Sequence, residues 1–433
     1  MSVDGLPARK TALALLSGVL TKRRPLDADL PQLKTLPPRD AAFARALASQ
    51  TLRHLGALDA GLRTFLAKPL SPHKSGAAME ILLLGACELL VLKTPAHAAV
   101  DAANRLAASD SKAVHFKPLI NAVLRKMASG GDGALSGLDR ERLSTPDWLY
   151  QRWAAQYGAD IARRIARAHQ SEAPLDITLR ADDVVQPQGI ALFGLSRRVT
   201  EGGRVEDLPG FADGQWWVQD AAATLPARLL GDVAGKDVID LCAAPGGKTL
   251  QLAAAGARVT AVEKHAARMA RIAENLARTG LTATLAESDA RDFEGQAPLV
   301  LIDAPCTATG TIRRHPELPW IKGAADVTLM AALAYEILES GARMVSPGGR
   351  LVFAVCSLER EEGEEQIAAF LAAHPEFSRD PIQPDEIFGH GDWITPEGDL
   401  RTLPFYLEGG MDGFFAARLK KSQNPPHAST SSA

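Results

Sequence analysis

The chain has 433 residues, of which 46% are hydrophobic and 23% are charged, a composition that excludes a disordered or fibrous protein. No apolar stretch approaches the roughly 20 residues that a membrane-spanning helix needs, and the first residues do not resemble a signal peptide. Four cysteines without a CxxC spacing exclude a disulfide scaffold and a cysteine-rich zinc site. We therefore expect a cytoplasmic protein with more than one domain.

Charge is distributed unevenly along the chain. The net charge is −3, but residues 1–140 contain 19 Lys and Arg against 11 Asp and Glu, whereas the remainder contains 29 against 40. A basic segment joined to an acidic body predicts that the basic part contacts a polyanion. A solvated basic helical surface explains the charge equally well.

The first third of the sequence is predicted to be an all-helical bundle. Between Ala8 and Ala128, apolar residues recur at helical spacing, and prolines fall between the apolar stretches, where helices usually stop. The stretch SGGDGALSG within residues 129–139 predicts a flexible linker.

Residues 140–214 give a weaker pattern and are expected to form a small intermediate α+β segment. Helical patterns around Trp148–Tyr157 and Ile161–His169 precede a strand-like LDITLR at 175–180, and the rest is irregular and rich in glycine.

Residues 215–421 predict an α/β domain of the Rossmann-like type. From Val238 onward, strand and helix patterns alternate at lengths typical of a parallel, doubly wound sheet, and GFFAARL at 413–419 is the last predicted strand. Residues 422–433 are polar and are expected to be disordered.

The clearest local motif is DLCAAPGGKT at 240–249, where a strand runs into a turn of small residues and then into a helix. Gly246 and Gly247 allow the backbone to approach a ligand closely, at the sheet edge where α/β proteins bind nucleotides. The spacing is not that of a P-loop. Glu263 ends the next strand, where an acidic side chain accepts hydrogen bonds from ribose hydroxyls. A tight strand-to-helix turn with an incidental acid is the alternative interpretation.

Acidic and thiol side chains follow two further predicted strands. Asp303 and Cys306 follow the strand PLVLID, and Cys356 follows RLVFAV. Either cysteine alone is typical of a packed core, but two thiols at neighbouring strand ends beside an aspartate indicate a reactive site. A thiolate can attack an electron-poor ring carbon.

These motifs resemble the RsmB family (also called Sun or Fmu) of bacterial ribosomal RNA cytosine-5 methyltransferases. The resemblance is carried by DLCAAPGGKT, DAPCTATGTIRRHPE at 303–317, VCSLEREEGE at 355–364 and DGFF at 412–415. Residues 1–128 resemble the NusB-type RNA-binding helical domain of that family, most clearly at INAVLRK, 120–126. Val355 and Glu263 depart from the family pattern, which usually has threonine and aspartate there.

The resemblance implies S-adenosyl-L-methionine as the cofactor and no metal ion. Glu263 would bind its ribose hydroxyls, Asp289 would lie near its adenine, and Asp303 would bridge cofactor and target base. The other residues implied in cofactor binding form one turn: Cys242, Ala243, Ala244, Pro245, Gly246, Gly247 and Lys248.

The resemblance also implies a covalent mechanism. Cys356 would add to ring carbon 6 of cytosine, which makes carbon 5 nucleophilic towards the methyl group. Asp303 would hydrogen-bond the ring nitrogen, and Cys306 would help to remove the proton from carbon 5. The base must be unpaired or flipped to reach such a pocket.

The implied partner is RNA, most directly 16S ribosomal RNA, with no DNA or membrane partner and with a monomeric protein favoured. Three alternatives remain open from the sequence: a tRNA cytosine-5 methyltransferase, a NusB-like RNA-binding assembly factor with an inactive catalytic domain, and a nucleotide-dependent dehydrogenase. The dehydrogenase leaves the DAPC and VCS motifs unexplained.

Overall fold

The computed structural model describes residues 5–423, apart from the side chains of Asp132 and Ala134. The predicted tail at 422–433 therefore lies almost entirely outside the described residues. By their internal contacts the residues form two compact units, one helical and one built on β-sheets. Among the described residues, the helical unit comprises 5–172 and 312–323, and the sheet unit comprises 173–311 and 324–423.

The helical unit confirms the predicted all-helical bundle. Its helices in the first 172 residues are α1 (Leu6–Leu20), α2 (Pro38–Arg53), α3 (Leu55–Arg63), α4 (Pro72–Ser75), α5 (Ala78–Leu90), α6 (Ala96–Ala108), α7 (Lys117–Gly130), α8 (Arg140–Leu143), α9 (Asp147–Tyr157) and α10 (Ala159–His169). Helix α5 is buried over almost its whole length, so it forms the centre around which the amphipathic helices pack.

The stretch expected to be a flexible linker is ordered. Helix α7 continues to Gly130, and Gly131–Leu135 form a 3₁₀ helix. Leu135 is buried in the helical core, and Leu138 packs against it. These apolar contacts offset part of the conformational entropy that a glycine-rich segment loses when it is ordered. Residues 140–172 accordingly belong to the helical unit and not to a separate intermediate segment.

A short segment from the second half of the sequence, 312–323, also belongs to the helical unit. Ile321 is buried in the helical core, and the Trp320 indole N–H donates to the carbonyl of Leu52. The guanidinium of Arg53 donates to the carbonyl oxygens of Arg313 and His169. The sequence motifs gave no indication of this packing.

The sheet unit contains two sheets. Strands β1 (Asp176–Leu179), β2 (Gly189–Ala191), β3 (Ser196–Val199) and β4 (Trp216–Val218) form a small antiparallel sheet in the order β2-β3-β1-β4. Of these strands, the sequence indicated only β1. The other three are short and lie in a region whose many turns obscure the alternation of polar and apolar residues.

The larger sheet has eight strands. They are β5 (Asp237–Leu241), β6 (Arg258–Glu263), β7 (Thr284–Glu287), β8 (Ala297–Asp303), β9 (Val345–Val355), β10 (Phe377–Arg379), β11 (Leu400–Thr402) and β12 (Phe414–Lys421). The order is β10-β12-β9-β8-β5-β6-β7, with β11 pairing to β12.

This sheet is mixed, not wholly parallel as predicted. Strands β5 to β9 are parallel, whereas β12 is antiparallel to β9, β10 and β11. The first four residues of β12 are apolar, which identifies a buried strand but does not reveal its direction. The chain reversal therefore escaped prediction, whereas the predicted strand and helix order was confirmed.

The remaining helices connect these strands. They are α11 (Leu225–Arg228), α12 (Gly247–Ala254), α13 (Ala266–Thr279), α14 (Leu318–Ile321, within the helical unit), α15 (Ala324–Met344) and α16 (Glu364–Ala373). No helix among residues 5–423 is both long enough and apolar enough to cross a membrane. Because β5, β6, β8 and β9 are parallel neighbours, their carboxyl ends meet at one edge of the sheet.

Candidate active site

The turn after β5 holds the residues 242–248 against the start of α12. Cys242 and Gly246 have positive φ angles of 60° and 105°, and a Cβ atom on Gly246 would lie 3.3 Å from the side chain of Ile272. Glycine alone adopts the Gly246 conformation without strain. Helix α12 begins at Gly247, so backbone N–H groups without intrahelical partners lie at this turn. Such a helix start favours an anionic ligand group.

Glu263 ends β6 beside this turn, and it is buried. Its carboxylate accepts from the backbone N–H of His265 at 3.0 Å and from that of Ala244 at 3.4 Å. An ionised carboxylate has about four acceptor positions, so these two bonds leave capacity for further donors. The structure therefore brings Glu263 to the turn, as the sequence predicted.

Asp289 follows β7 at the same edge. Its carboxylate is paired with Arg291 at 2.8 Å and with Lys264 at 3.0 Å. The hydrogen bonds from Arg291 are the main reason why the pKa of this carboxyl group lies well below its usual value. Asp289 is thus a fixed negative charge next to the strand that carries Glu263.

Lys248 joins the turn to the predicted catalytic aspartate. Its buried ammonium group donates to Oδ2 of Asp303 at 2.8 Å and lies 5.1 Å from the ring of Phe414. Beneath the turn, Thr249 donates to Oδ2 of Asp240, while Oδ1 of Asp240 has no partner within residues 5–423. Burial raises the pKa of Asp240 to about 7.

The two predicted catalytic cysteines lie together. Asp303 on β8 is in register with Ala354 on β9, and the loops that follow place the Sγ atoms of Cys306 and Cys356 3.5 Å apart. The hydrogen bond to Cys356 and then burial raise the pKa of Cys306 well above its usual value. Either sulfur atom can be the donor in this contact.

The other two cysteines are not reactive groups. Burial raises the pKa of both Cys87 and Cys242 to about 12, and the nearby carboxylates of Asp303 and Glu263 add to the effect at Cys242. Thiolates, not thiols, are nucleophiles, so neither residue supplies one near neutral pH. Cys242 fits the turn because it is small.

A buried polar network behind the two cysteine loops was missed by sequence reasoning. Glu362 accepts hydrogen bonds from Thr307, which follows Cys306, and from Ser357, which follows Cys356. Burial raises the pKa of Glu362 to about 6. The acidic run in VCSLEREEGE was visible in the sequence, but nothing in it showed which glutamate turns inward.

Two glycines, Gly310 and Gly413, lie where the loop after Cys306 contacts the DGFF motif. Ala308 has a left-handed φ of 59°, after which the backbone N–H of Gly310 donates to the carbonyl of Cys356 at 3.1 Å. Gly413 of the DGFF motif donates to the carbonyl of Gly310 at 2.8 Å, and a Cβ atom on Gly310 would lie 1.9 Å from the carbonyl oxygen of Gly413. Both glycines are therefore required by close backbone approach.

Comparison with protein families gives two matches along the chain. Residues 227–420 match the model of the family described as 16S rRNA methyltransferase RsmB/F, and residues 6–129 match that of the NusB family. Among curated proteins, the chain is 35% identical to the ribosomal RNA small subunit methyltransferase B of Sodalis glossinidius, over 95% of this chain and 97% of that protein. The corresponding Vibrio cholerae protein is 34% identical, over 89% and 90% of the two chains.

Solved structures share the fold. The protein PH0851 superimposes with a TM-score of 0.76 at 24% identity, covering 97% of this chain and 100% of that one. A methyltransferase homologue from Pyrococcus horikoshii gives a TM-score of 0.53 at 25% identity, covering 63% and 93% of the two chains. These likenesses establish the architecture.

The Rossmann-like sheet, the glycine turn and the acidic end of the second strand, together with the RsmB/F family match and the curated relatives, identify an S-adenosylmethionine-dependent RNA methyltransferase. The curated relatives align with 89–95% of this chain, which includes both family matches. The chain belongs to the family of ribosomal RNA small subunit methyltransferase B, the RsmB branch of the RsmB/F methyltransferases.

The residues present fit the cofactor. S-adenosylmethionine carries a carboxylate, an ammonium group, a ribose and a positively charged sulfur. The start of α12 suits the carboxylate, the unused acceptor positions of Glu263 suit the ribose hydroxyls, and the unpartnered Oδ1 of Asp240 leaves an acceptor for a cationic group. Nothing in this donor set conflicts with the cofactor's chemistry.

Proposed function

We propose that this enzyme methylates ring carbon 5 of a cytosine in small-subunit ribosomal RNA through a covalent bond between Cys356 and the base. The observation that carries the proposal is the pair of thiols 3.5 Å apart at the ends of two neighbouring strands. Transfer of a methyl group to an oxygen or an exocyclic nitrogen needs no sulfur nucleophile. A second thiol next to the first suits a reaction in which a sulfur–carbon bond must form and later break.

Cofactor binding is assigned to one edge of the sheet. The turn from Cys242 to Lys248 would hold the methionine portion, Glu263 the ribose and Asp289 the adenine side. When bound, S-adenosylmethionine supplies an electrophilic methyl group. The bond from Lys248 to Asp303 connects this region to the cysteine loops.

The protein groups have distinct roles in the proposed reaction. The sulfur of Cys356, as a thiolate, is the nucleophile that bonds to ring carbon 6. Asp303, transiently protonated, donates a hydrogen bond to the ring nitrogen and stabilises the negative charge that develops there as the sulfur adds. Cys306 helps to remove the proton from carbon 5, after which the sulfur of Cys356 leaves carbon 6.

Residues 1–128 are proposed to supply RNA contacts that the catalytic part lacks. This segment has a net positive charge, whereas the rest of the chain is net negative, and its NusB match covers nearly the same residues. The curated relatives are named for small-subunit ribosomal RNA, which favours that RNA over transfer RNA as the substrate. A contribution of the helices to packing alone is the alternative that RNA-binding measurements decide.

The proposed mechanism is tested by replacing each thiol separately. Cys356→Ala is expected to abolish methylation and to form no covalent complex, because carbon 6 has no nucleophile. Cys306→Ala is expected to form the complex but to release it slowly, so protein and RNA migrate together on a denaturing gel.

Cys87→Ala is the matched control, because this thiol lies in the helical core and should leave both readouts unchanged. Methylation by Cys356→Ala together with none by Cys306→Ala would exchange the two roles. Full activity in both variants would exclude the covalent mechanism.

A further inference from the structure

The buried carboxylate of Glu362 contacts the residues that directly follow both of the proposed catalytic thiols. The backbone N–H of Thr307 donates to Oε1 of Glu362 at 2.7 Å, and the Thr307 hydroxyl donates to Oε2 at 2.7 Å. The hydroxyl of Ser357 donates to the same Oε2. Thr307 directly follows Cys306, and Ser357 directly follows Cys356.

Further bonds fix the same two loops to each other. The backbone N–H of Leu358 donates to the hydroxyl oxygen of Thr309 at 3.0 Å, and the hydroxyls of Thr309 and Ser357 lie 3.2 Å apart. The guanidinium of Arg401 donates to the carbonyl of Ser357 at 2.5 Å. Glu362 is the member of this network that contacts the neighbours of both cysteines.

Three donors fill most of the acceptor positions of the Glu362 carboxylate, which is completely buried. A carboxylate used in this way has little capacity left for a substrate. Removing it would leave the N–H and the hydroxyl of Thr307 buried without their acceptor and would take one partner from Ser357, which favours rearrangement of both loops.

We propose that Glu362 is a positioning residue that sets the separation of the Cys306 and Cys356 sulfur atoms. Its importance for methylation rests on the proposed function, since only a two-thiol reaction depends on that separation. Its effect on the thiols themselves is independent of the reaction and is measured directly by their tendency to form a disulfide.

The experiment uses the full chain in buffers of reduced and oxidised glutathione. Oxidised glutathione takes two electrons from the two thiols, one S–S bond forms between Cys306 and Cys356, and the released protons complete two molecules of reduced glutathione. Peptide mapping by mass spectrometry gives the disulfide fraction, and the equilibrium gives the effective concentration of one thiol at the other. We expect Glu362→Ala to lower this effective concentration by about tenfold or more.

Glu365→Gln is the matched control, because Glu365 is an exposed glutamate in the first turn of α16. It should behave like the wild type, and Glu362→Gln should restore part of the loss because an amide can still bond to Thr307. Thr307→Val removes one donor and is expected to give a smaller decrease, which serves as the test if Glu362→Ala does not fold.

The effective concentration of one thiol at the other decides whether Glu362 positions the two sulfur atoms. An unchanged value in a folded Glu362→Ala protein, or in Thr307→Val where the alanine variant does not fold, would overturn it. Methylation kinetics decide the proposed function separately: kcat should fall about tenfold or more while KM for RNA and cofactor stays unchanged. A lowered effective concentration with an unchanged kcat would contradict the two-thiol mechanism and leave the positioning role standing.

Discussion

Two buried glutamates at the same sheet edge are used differently. Glu263, beside the cofactor turn, accepts two backbone N–H bonds, the longer of them 3.4 Å. Glu362, behind the cysteine loops, accepts three bonds from two residues. The first carboxylate keeps acceptor capacity for a ligand, whereas the second has almost none. The number of hydrogen bonds that the protein itself donates to a buried carboxylate therefore distinguishes a binding group from a positioning group.

Among substitutions outside the two thiols, the largest effect is expected where Gly310 contacts Gly413. Gly310→Ala would place a Cβ atom 1.9 Å from the carbonyl oxygen of Gly413, so the loop must move. Because catalytic geometry tolerates little displacement, kcat is expected to fall about 100-fold while cofactor binding is retained. Methylation assays and calorimetry measure the two effects. Gly202→Ala is the control, since nothing lies within 4 Å of a Cβ atom there.

Removing the ligand-facing carboxylate should affect the cofactor and not the thiols. Glu263→Ala is expected to weaken S-adenosylmethionine binding by about 1.5–3 kcal/mol, the usual value of hydrogen bonds to a charged group. Calorimetry gives the affinity. Glu287→Ala is the control, because Glu287 is the exposed register partner of Glu263 on β7. Equal cofactor affinity in the wild type and in Glu263→Ala would remove this residue from the site.

Stability should depend on pH through Glu362. Burial raises its pKa from 4.5 to about 6, so the folded state favours the protonated form. The stabilisation of the folded state by protonated Glu362 is complete below pH 4.5 and is lost as the pH rises through about 6. The free energy of unfolding of the wild type relative to Glu362→Gln should therefore decrease by about 2 kcal/mol over that range.

Denaturant unfolding at several pH values measures the difference between the two proteins. Glu365→Gln should differ from the wild type by a constant amount across the same pH values, because Glu365 is exposed. A difference that is constant for Glu362→Gln as well would show that the carboxyl group titrates normally.

The smallest effect is expected at the basic surface. Lys117 and Lys126 are exposed on α7. If they contact phosphates, changing each to glutamine should weaken RNA binding modestly and reduce the log–log salt slope by about 0.7 per lost contact. Lys236→Gln, on an exposed lysine of the sheet unit, is the control. Equal log–log salt slopes for Lys117→Gln, Lys126→Gln and Lys236→Gln would argue against these phosphate contacts.

Such substitutions are preferable to deleting the helical domain. Residues 312–323 pack within the helical unit, and Ile321 lies in its core. A chain that begins after the helices would expose this segment, which directly follows the loop containing Cys306. Loss of activity on truncation would then not report on RNA binding.

The cofactor turn was predictable because its residues are adjacent in sequence and each has a local reason to be there. Gly246 needs its positive φ, and Glu263 ends the next strand. The partners of Glu362 could not be predicted in this way, since Thr307 lies 55 residues away and the surrounding glutamates are similar in sequence. The antiparallel direction of β12 also depends on tertiary pairing that no short pattern contains.

The central claim is that carbon 5 of cytosine receives the methyl group. It is tested by incubating the purified enzyme with small-subunit ribosomal RNA and S-adenosylmethionine that carries a deuterated methyl group, followed by digestion to nucleosides and mass spectrometry. The proposed function predicts that the label appears in 5-methylcytidine, and that Cys356→Ala gives none. Label in any other nucleoside, or undiminished label with Cys356→Ala, would contradict it.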